Sequence, residues 1–341
     1  MPGTFKKIDY RLRPAKHAER VMLIDLFKRM RFAPIETYRY IGFGSVAFVD
    51  FRMVHKALGI KDLISIEATE AEEEQTRFNH NNPYAGLTLH FGHSSKVLPT
   101  LDLAKRSLVW LDYDGALSRS MANDLATVGR HAPSGTFLGV TFAASFPTAS
   151  PGRENELKRL KEEFPDFLVD DTRPIALDGA KFGEFGRSTL GALLEKAVSD
   201  ADAGEQDARK IRNVRQIFFF KYKDGAPMVT VGWLVVAASD LPTFDACKFE
   251  ALPFVRTGTI PFVIKIPLVT PLEVREMERR LPDLATATDL DWIPAEERRN
   301  FGGVYRYLPQ FSVVEQVRQR RTVKRWSASA NADGQPARFG A

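Results

Sequence analysis

The sequence is poor in cysteine and has no long apolar run. Cys247 is the single cysteine among 341 residues, which excludes an intrachain disulfide and a cysteine-rich zinc site. This usage fits a reducing compartment, so we expect a cytoplasmic protein. No stretch approaches the roughly 20 apolar residues that a membrane-spanning helix needs, and Met1–Tyr10 is polar and charged. We therefore expect no membrane association.

Several catalytic motifs are also missing. Ser94–Ser95 is not part of a Gly-x-Ser-x-Gly elbow, which excludes a serine hydrolase of that type. The turn at Gly42–Ser45 lacks the lysine of a phosphate-binding loop. His90 and His93 would point to opposite faces of a strand, and no third ligand lies nearby, so we predict no metal site.

Composition and charge set broader bounds. Hydrophobic residues make up 44% of the sequence, which is enough for a full core in one large α/β domain with a smaller subdomain. The formal net charge is +5, and basic residues concentrate in Arg318–Arg325. Such a cluster could neutralise the phosphates of a nucleic acid, but a solvated helix end is the favoured interpretation. The small polar residues of 327–341 predict a disordered tail.

A glycine turn is the most informative motif that is present. A strand-like run from Tyr38 breaks at Gly42 and Gly44, and an amphipathic helical pattern follows through Leu58. Glycine has no Cβ and tolerates positive φ, so Gly42 can make a tight turn while Gly44 brings backbone N–H groups close to a ligand. Gly59 stands where a helix cap is expected. The pattern predicts a cradle for a nucleotide-like ligand.

An acidic residue follows at the matching distance. The strand pattern of Leu63–Ile66 ends on Glu67, about 20 positions after the glycines. In the geometry of dinucleotide-binding proteins, a carboxylate at this place meets ribose hydroxyls. The glycine turn and the acidic residue at this spacing together predict that Glu67 binds a ribose.

Two further strands and a hairpin complete the pattern. The strands Leu87–Phe91 and Ser107–Leu111 are separated by helical stretches, and two β-rich runs flank an Asp224-Gly225 turn. Strands that alternate with helices form a parallel sheet, whose ligands bind beyond the carboxyl ends of the strands. Glu67, His93–Ser94 and Asp112–Asp114 would all lie at that edge.

The order of these motifs over Tyr38–Ala238 resembles the class I S-adenosylmethionine-dependent methyltransferases, and Trp110–Asp114 is similar to the matching stretch of a bacterial group of O-methyltransferases. An antiparallel hairpin that closes a parallel sheet is common to the class I enzymes and distinguishes them from nicotinamide dehydrogenases. The resemblance implies an α/β fold, with a Rossmann-like, mostly parallel sheet closed by an antiparallel C-terminal hairpin and helices on both faces. It also implies S-adenosyl-L-methionine as the cofactor and methyl transfer to the oxygen of an unidentified acceptor.

The resemblance further implies the site residues. In that family the glycine turn lies against the methionine part of the cofactor, the acidic residue after the second strand takes the ribose, and the turn after the third strand holds the adenine. The matching cofactor-binding residues here are Gly42, Gly44, Ser45, Glu67, His93, Ser94 and Asp112. His93 and Ser94 stand where the family often has an Asp, so this chain departs from the pattern at the adenine contact.

Asp112 and Asp114 are the candidate catalytic residues, because the family carries catalytic or substrate-positioning groups at the end of the fourth strand. A carboxylate within hydrogen-bond reach of an acceptor hydroxyl can act as a general base. The alternative is that the two residues only cap the following helix or order a turn.

Two other functions stay open. Gly42, Gly44 and Ala47, together with Glu67, also satisfy the dinucleotide fingerprint, so an NAD-dependent oxidoreductase is the first alternative. The second is a non-catalytic Rossmann-like interaction module, because a fold does not fix a function.

The same patterns divide the chain into domains. We expect a helical N-terminal appendage in residues 1–37, the Rossmann-like domain in 38–240, and a smaller C-terminal α+β module in 241–326. The basic residues near the start are expected on a solvated surface, namely Arg11, Arg13 and Lys16. The appendage or the module could contact a second subunit, so a homodimer is a candidate assembly.

Overall fold

A computed structural model of the protein describes residues 13–169 and 171–309. The strands in this part of the chain are β1 (Arg39–Gly42), β2 (Asp62–Glu67), β3 (Leu87–Phe91), β4 (Ser107–Ala116), β5 (Phe137–Ala143), β6 (Arg212–Lys223), β7 (Pro227–Ala237) and β8 (Phe262–Ile264). The helices are α1 (Pro14–Phe27), α2 (Val49–Leu58), α3 (Glu72–Asn81), α4 (Ser94–Val97), α5 (Arg119–His131), α6 (Gly152–Glu163), α7 (Ala180–Ala201), α8 (Leu241–Ala246), α9 (Pro271–Glu278) and α10 (Ala295–Val304).

The strands form one sheet in the order β3-β2-β1-β4-β5-β7-β6-β8. Neighbouring strands are parallel except where β7 takes part, since β7 runs antiparallel to both β5 and β6. β6 and β7 form the predicted hairpin, and Gly225 in its turn has a φ of 124°. The mostly parallel, Rossmann-like sheet closed by an antiparallel hairpin is therefore confirmed.

Helices cover both faces of the sheet, as predicted. Along β1, Tyr40 belongs to one buried apolar cluster and the next residue, Ile41, to another. This is the alternation that a strand with a core on each side requires. α1 and α2 contribute to the first cluster, and α5 and α7 contribute to the second.

β4 is longer than predicted. It continues through Asp112 to Ala116, beyond the expected end at Leu111. Aspartate and glycine disfavour strands, so the local sequence signal ends early, and pairing with β5 overrides it. The register of that pairing shifts between Asp112 and Ala116, an irregularity of the kind that re-aims side chains near functional sites.

α1 is part of the main core. The helix starts at Pro14 and has no side-chain cap of its own. Instead, Asp224 in the hairpin turn accepts hydrogen bonds from the backbone N–H groups of Ala15 and Lys16, at 3.3 and 2.8 Å. Lys16 is 1% exposed, so its expected position on a solvated surface is wrong. Carboxylates inside the fold pair with this lysine and offset the cost of its burial.

The C-terminal region adds an edge strand and a small core. β8 lies at the edge of the sheet beside β6. A separate apolar cluster joins α9 and α10, formed by Met277, Leu284, Leu290, Ile293 and Phe301. The predicted domain boundaries stay predictions, and both Arg318–Arg325 and the tail 327–341 lie outside the described residues. Among the helices of the described part, none has the length and apolar character to cross a bilayer.

Candidate functional site

A cavity of about 320 Å³ lies at the carboxyl ends of β1, β2 and β4. Seven of the eight predicted site residues line it, namely Gly44, Ser45, Glu67, His93, Ser94, Asp112 and Asp114. Gly42 lies behind the wall, where an added Cβ would be 3.1 Å from the carbonyl oxygen of Trp110. The structure therefore gathers the predicted residues around one space, while their individual roles stay predictions.

The turn after β1 differs from the predicted conformation. Neither Gly42 nor Gly44 has a positive φ, and the left-handed residues are Ser45 and Phe48, each with a φ of 48°. Gly44 is required for space, because a Cβ there would lie 2.5 Å from Phe48 Cδ1 and 2.6 Å from Ser65 Oγ. The expectation that Gly42 makes the tight turn through its freedom in φ was wrong.

Glu67 is tied to this turn. Its Oε1 accepts hydrogen bonds from the backbone N–H of Gly44 at 2.8 Å and from the hydroxyl of Ser65 at 2.6 Å. Burial raises the pKa of Glu67 from 4.5 to about 7, and the hydrogen bonds offset only part of that effect. The carboxyl group therefore changes its protonation state near neutral pH.

A partly buried polar cluster lies beside the turn after β3. Asp124 Oδ2 accepts hydrogen bonds from the hydroxyl of Ser94 and, at 2.6 Å, from that of Tyr113. Burial and the charge of Asp124 raise the pKa of Tyr113 well above its ordinary value, so the phenol keeps its proton and donates it. Sequence reasoning missed Asp124. An acid between Met121 and Leu125 on the apolar face of α5 was the available signal.

α1 supplies charges that sequence reasoning also missed. Lys16 Nζ lies 2.6 Å from Asp112 Oδ1 and 2.7 Å from Glu19 Oε2. Burial lowers the pKa of Lys16, but the carboxylates of Asp112 and Glu19 outweigh it and leave the pKa above its ordinary value. Arg20 pairs with Asp50 on α2, and both side chains line the cavity. No local motif indicates the pairs Lys16–Asp112 and Arg20–Asp50, because their members are 96 and 30 positions apart.

The two catalytic candidates lie in β4. The cap of α5 is Ser118, whose hydroxyl accepts a hydrogen bond from the backbone N–H of Met121 at 3.4 Å. The alternative that Asp112 or Asp114 caps this helix is therefore wrong. Both carboxyl groups line the cavity instead.

The cavity wall is acidic. Its ionisable side chains are four carboxyl groups, one guanidinium, one imidazole and one phenol, from Asp50, Glu67, Asp112, Asp114, Arg20, His93 and Tyr113. Carboxylates accept hydrogen bonds from hydroxyls and attract cations, so the wall suits a ligand with hydroxyl groups and a positive charge. Within residues 13–169 and 171–309, no group of three or more His, Cys, Asp or Glu residues is arranged to hold a metal ion.

Comparison with protein families gives a match over most of the chain. A family model described as "Putative O-methyltransferase" matches residues 8–316. No curated protein matches the sequence.

Several solved structures are similar to this chain at low identity. Trm1 from Pyrococcus horikoshii with S-adenosyl-L-methionine is 12% identical with a TM-score of 0.41, and the match covers 72% of this chain and 64% of that one. A SAM-dependent methyltransferase from Aquifex aeolicus is 12% identical with a TM-score of 0.38, covering 70% of this chain and 99% of that one. The chain thus spans less than two thirds of the Pyrococcus protein. Likenesses this distant carry no argument about the substrate.

Substitution of Gly44 tests the crowding at the turn. We predict that Gly44→Ala lowers the free energy of unfolding by about 1–3 kcal/mol, because the new methyl group must displace Phe48 or Ser65. Urea unfolding measures the change. Gly303→Ala is the matched control, since among the described residues nothing lies within 4 Å of a Cβ at that position in α10. Equal stability of wild type and Gly44→Ala would contradict the crowding.

Substitution of Glu67 tests its protonation. The folded state holds this proton more tightly than the unfolded state, because the pKa is about 7 instead of 4.5. The resulting stability is complete below the unfolded pKa and is lost as the pH rises through the folded one. Glu67→Gln keeps an accepting oxygen and cannot ionise. Its unfolding free energy relative to wild type should therefore be higher at pH 8 than at pH 5, by about 2 kcal/mol. Urea unfolding at the two pH values checks this, and a pH-independent difference would contradict it.

Proposed function

The chain belongs to the O-methyltransferase family, and from this premise we propose that the cavity at the carboxyl ends of β1, β2 and β4 binds S-adenosyl-L-methionine for methyl transfer to an acceptor oxygen. The family match over residues 8–316 is the observation that carries the proposal. The acidic wall supports it, because this ligand has a sulfonium charge, an α-ammonium group and ribose hydroxyls that carboxylates can bind.

Glu67 organises the cofactor site in this proposal. Its carboxyl group accepts hydrogen bonds from the ribose hydroxyls, while Gly44 and Ser45 lie against the methionine part. The contact between Glu67 and the backbone of Gly44 supports this pairing of roles, since it joins the two subsites. His93 and Ser94 hold the adenine, and Asp124 fixes the hydroxyl of Ser94 from behind.

In this reaction the protein's residues chiefly position the acceptor and the cofactor. Bound S-adenosylmethionine supplies a methyl group already activated on a sulfonium, and a neutral thioether remains after transfer. The protein must hold the acceptor oxygen in line with that methyl group, which is a matter of orientation and electrostatics. A carboxylate at the wall takes the hydroxyl proton as the carbon–oxygen bond forms, and Asp112 and Asp114 are the candidates.

The reversed strand β7 favours this function over the NAD-dependent alternative. β7 lies between β5 and β6 and runs antiparallel to both, which is the arrangement that distinguishes the class I methyltransferases from nicotinamide dehydrogenases. Nucleic-acid binding through Arg318–Arg325, a homodimer and a cytoplasmic location stay predictions from the sequence.

A thermal-shift comparison tests the function. S-Adenosylmethionine and S-adenosylhomocysteine should each raise the unfolding temperature, because a ligand that binds the native state stabilises it, by about 2.7 kcal/mol at 100 times Kd. NAD should give no shift at the same concentrations. A shift with NAD alone would indicate the oxidoreductase, and no shift with any ligand would indicate the interaction module.

Cofactor binding by Glu67→Gln tests the ribose contact. Loss of charge-assisted hydrogen bonds should make the binding free energy of S-adenosylmethionine, measured by calorimetry, about 1.5–3 kcal/mol less favourable. Glu70→Gln changes an exposed acid three positions after Glu67; it is the matched control and should bind like wild type.

The pH dependence gives a second readout of the same contact. Ribose hydroxyls donate to the ionised carboxyl group, so binding favours loss of the Glu67 proton. Wild-type affinity should rise with pH up to about 7, the pKa of Glu67, and level off above it. The affinity of Glu67→Gln should lack this rise. Equal affinity of wild type and Glu67→Gln above pH 8 would remove Glu67 from the site.

A further inference from the structure

Lys16 reaches the cavity wall from behind. Three oxygens surround its ammonium: Asp112 Oδ1 at 2.6 Å, Glu19 Oε2 at 2.7 Å and the hydroxyl of Tyr222 at 3.2 Å. The ring of Trp110 lies 4.2 Å from Nζ, within the range of a cation–π contact. Asp112 and Tyr222 accept hydrogen bonds from the ammonium and Glu19 adds an ion pair, so the group is held in one position.

Asp112 connects this buried cluster to the cavity. Its side chain is 16% exposed and lines the cavity, whereas those of Lys16 and Glu19 are 1% and 0% exposed. Lys16 occupies Oδ1, and Oδ2 makes no hydrogen bond within residues 13–169 and 171–309. One oxygen of Asp112 is therefore anchored, and the second is available to a ligand.

Packing and stability alone do not explain why this cluster is charged. A buried ion pair contributes little net stability, because the lost hydration roughly cancels the attraction. Apolar side chains could fill the space between Trp110 and Tyr222 without that cost. A charge kept at this place is therefore expected to act on the cavity, and Asp112 is the residue through which it does so.

We propose that Lys16 is a positioning residue for the cofactor: it fixes Asp112 as a negatively charged carboxylate that binds the cationic methionine end of S-adenosylmethionine, and it thereby leaves the proton-acceptor role to Asp114. This inference rests on the proposed function. Lys16 holds Oδ1 at 2.6 Å, and the cation of the cofactor takes Oδ2, so neither oxygen of Asp112 is left for the proton of the acceptor. Asp114 lines the same wall and is exposed to it.

A double-mutant cycle tests the inference, with S-adenosylmethionine as the probe in calorimetry. Lys16→Met and Asp112→Asn should each weaken binding about 10-fold or more, because the first releases the Asp112 carboxylate from its fixed position and the second removes its charge. The double variant should bind within about twofold of Asp112→Asn, since Lys16 acts through that residue. Losses that multiply across the cycle would overturn the inference.

Three further variants separate a charge effect from a packing effect. Lys16→Arg keeps the positive charge and should stay within about threefold of wild type, and equal losses in Lys16→Arg and Lys16→Met would contradict the role of charge. Tyr222→Phe removes only the neutral neighbour of the ammonium and should bind within about twofold of wild type. Asp114→Asn should also keep its affinity within about twofold, and a loss as large as that of Asp112→Asn would overturn the division of roles.

The design remains decisive if Lys16→Met does not fold. Removal of the lysine leaves Glu19 as an unpaired buried carboxylate, so Lys16→Met/Glu19→Gln replaces the single variant in the cycle. Circular dichroism and urea unfolding establish that each variant is folded. If wild type binds S-adenosylmethionine and the affinity losses of the two single variants multiply in the double variant, this inference alone is overturned. If wild type does not bind S-adenosylmethionine, the proposed function itself is overturned.

Discussion

The site depends on a reversal in the direction in which the chain builds its sheet. From β1 the chain adds β2 and then β3 on one side, and it then returns to place β4 on the other side of β1. The connections after β1 and β4 consequently diverge, and a crevice opens at the carboxyl ends of these strands. Gly42 pairs with Trp110 in the register of β1 and β4, so the glycine turn and Asp112 emerge side by side. Candidate binding residues from distant parts of the sequence meet because of this single constraint.

Two carboxyl groups of the cavity wall, those of Glu67 and Asp112, have different kinds of partner. Glu67 has only uncharged donors, from Ser65 and the backbone of the turn, and burial raises its pKa to about 7. Asp112 has the ammonium of Lys16 as its neighbour, at 2.6 Å. The wall therefore combines a carboxyl group held by uncharged donors, which titrates near neutral pH, with one held by a cation.

The sheet and most of the candidate site could be predicted from the sequence because their signals are local. Apolar runs mark the strands, the Asp224-Gly225 turn marks the hairpin, and residues at strand ends must meet at one edge of a parallel sheet. The conformation of the glycine turn could not be predicted, since it depends on how Phe48 packs. The ring of Phe48 lies edge-on to those of Phe51 and Phe78, at centroid distances of 6.1 and 6.0 Å. The charges of α1 could not be predicted either, because the partner of Lys16 on β4 is 96 positions away.

The hydrogen bonds from the backbone of Ala15 and Lys16 to Asp224 affect the order in which the protein can fold during synthesis. Lys16 and Asp224 are 208 positions apart, and the Tyr222 neighbour of Lys16 is almost as far. During synthesis α1 leaves the ribosome long before the hairpin exists, so it cannot dock in its final place until the hairpin has emerged. Contacts of such long range also form slowly once both partners are available. A nascent or truncated chain that ends before the hairpin therefore has the glycine turn and Glu67 but lacks the contacts that place α1 behind the cavity wall, so the cavity is completed only after the hairpin is made.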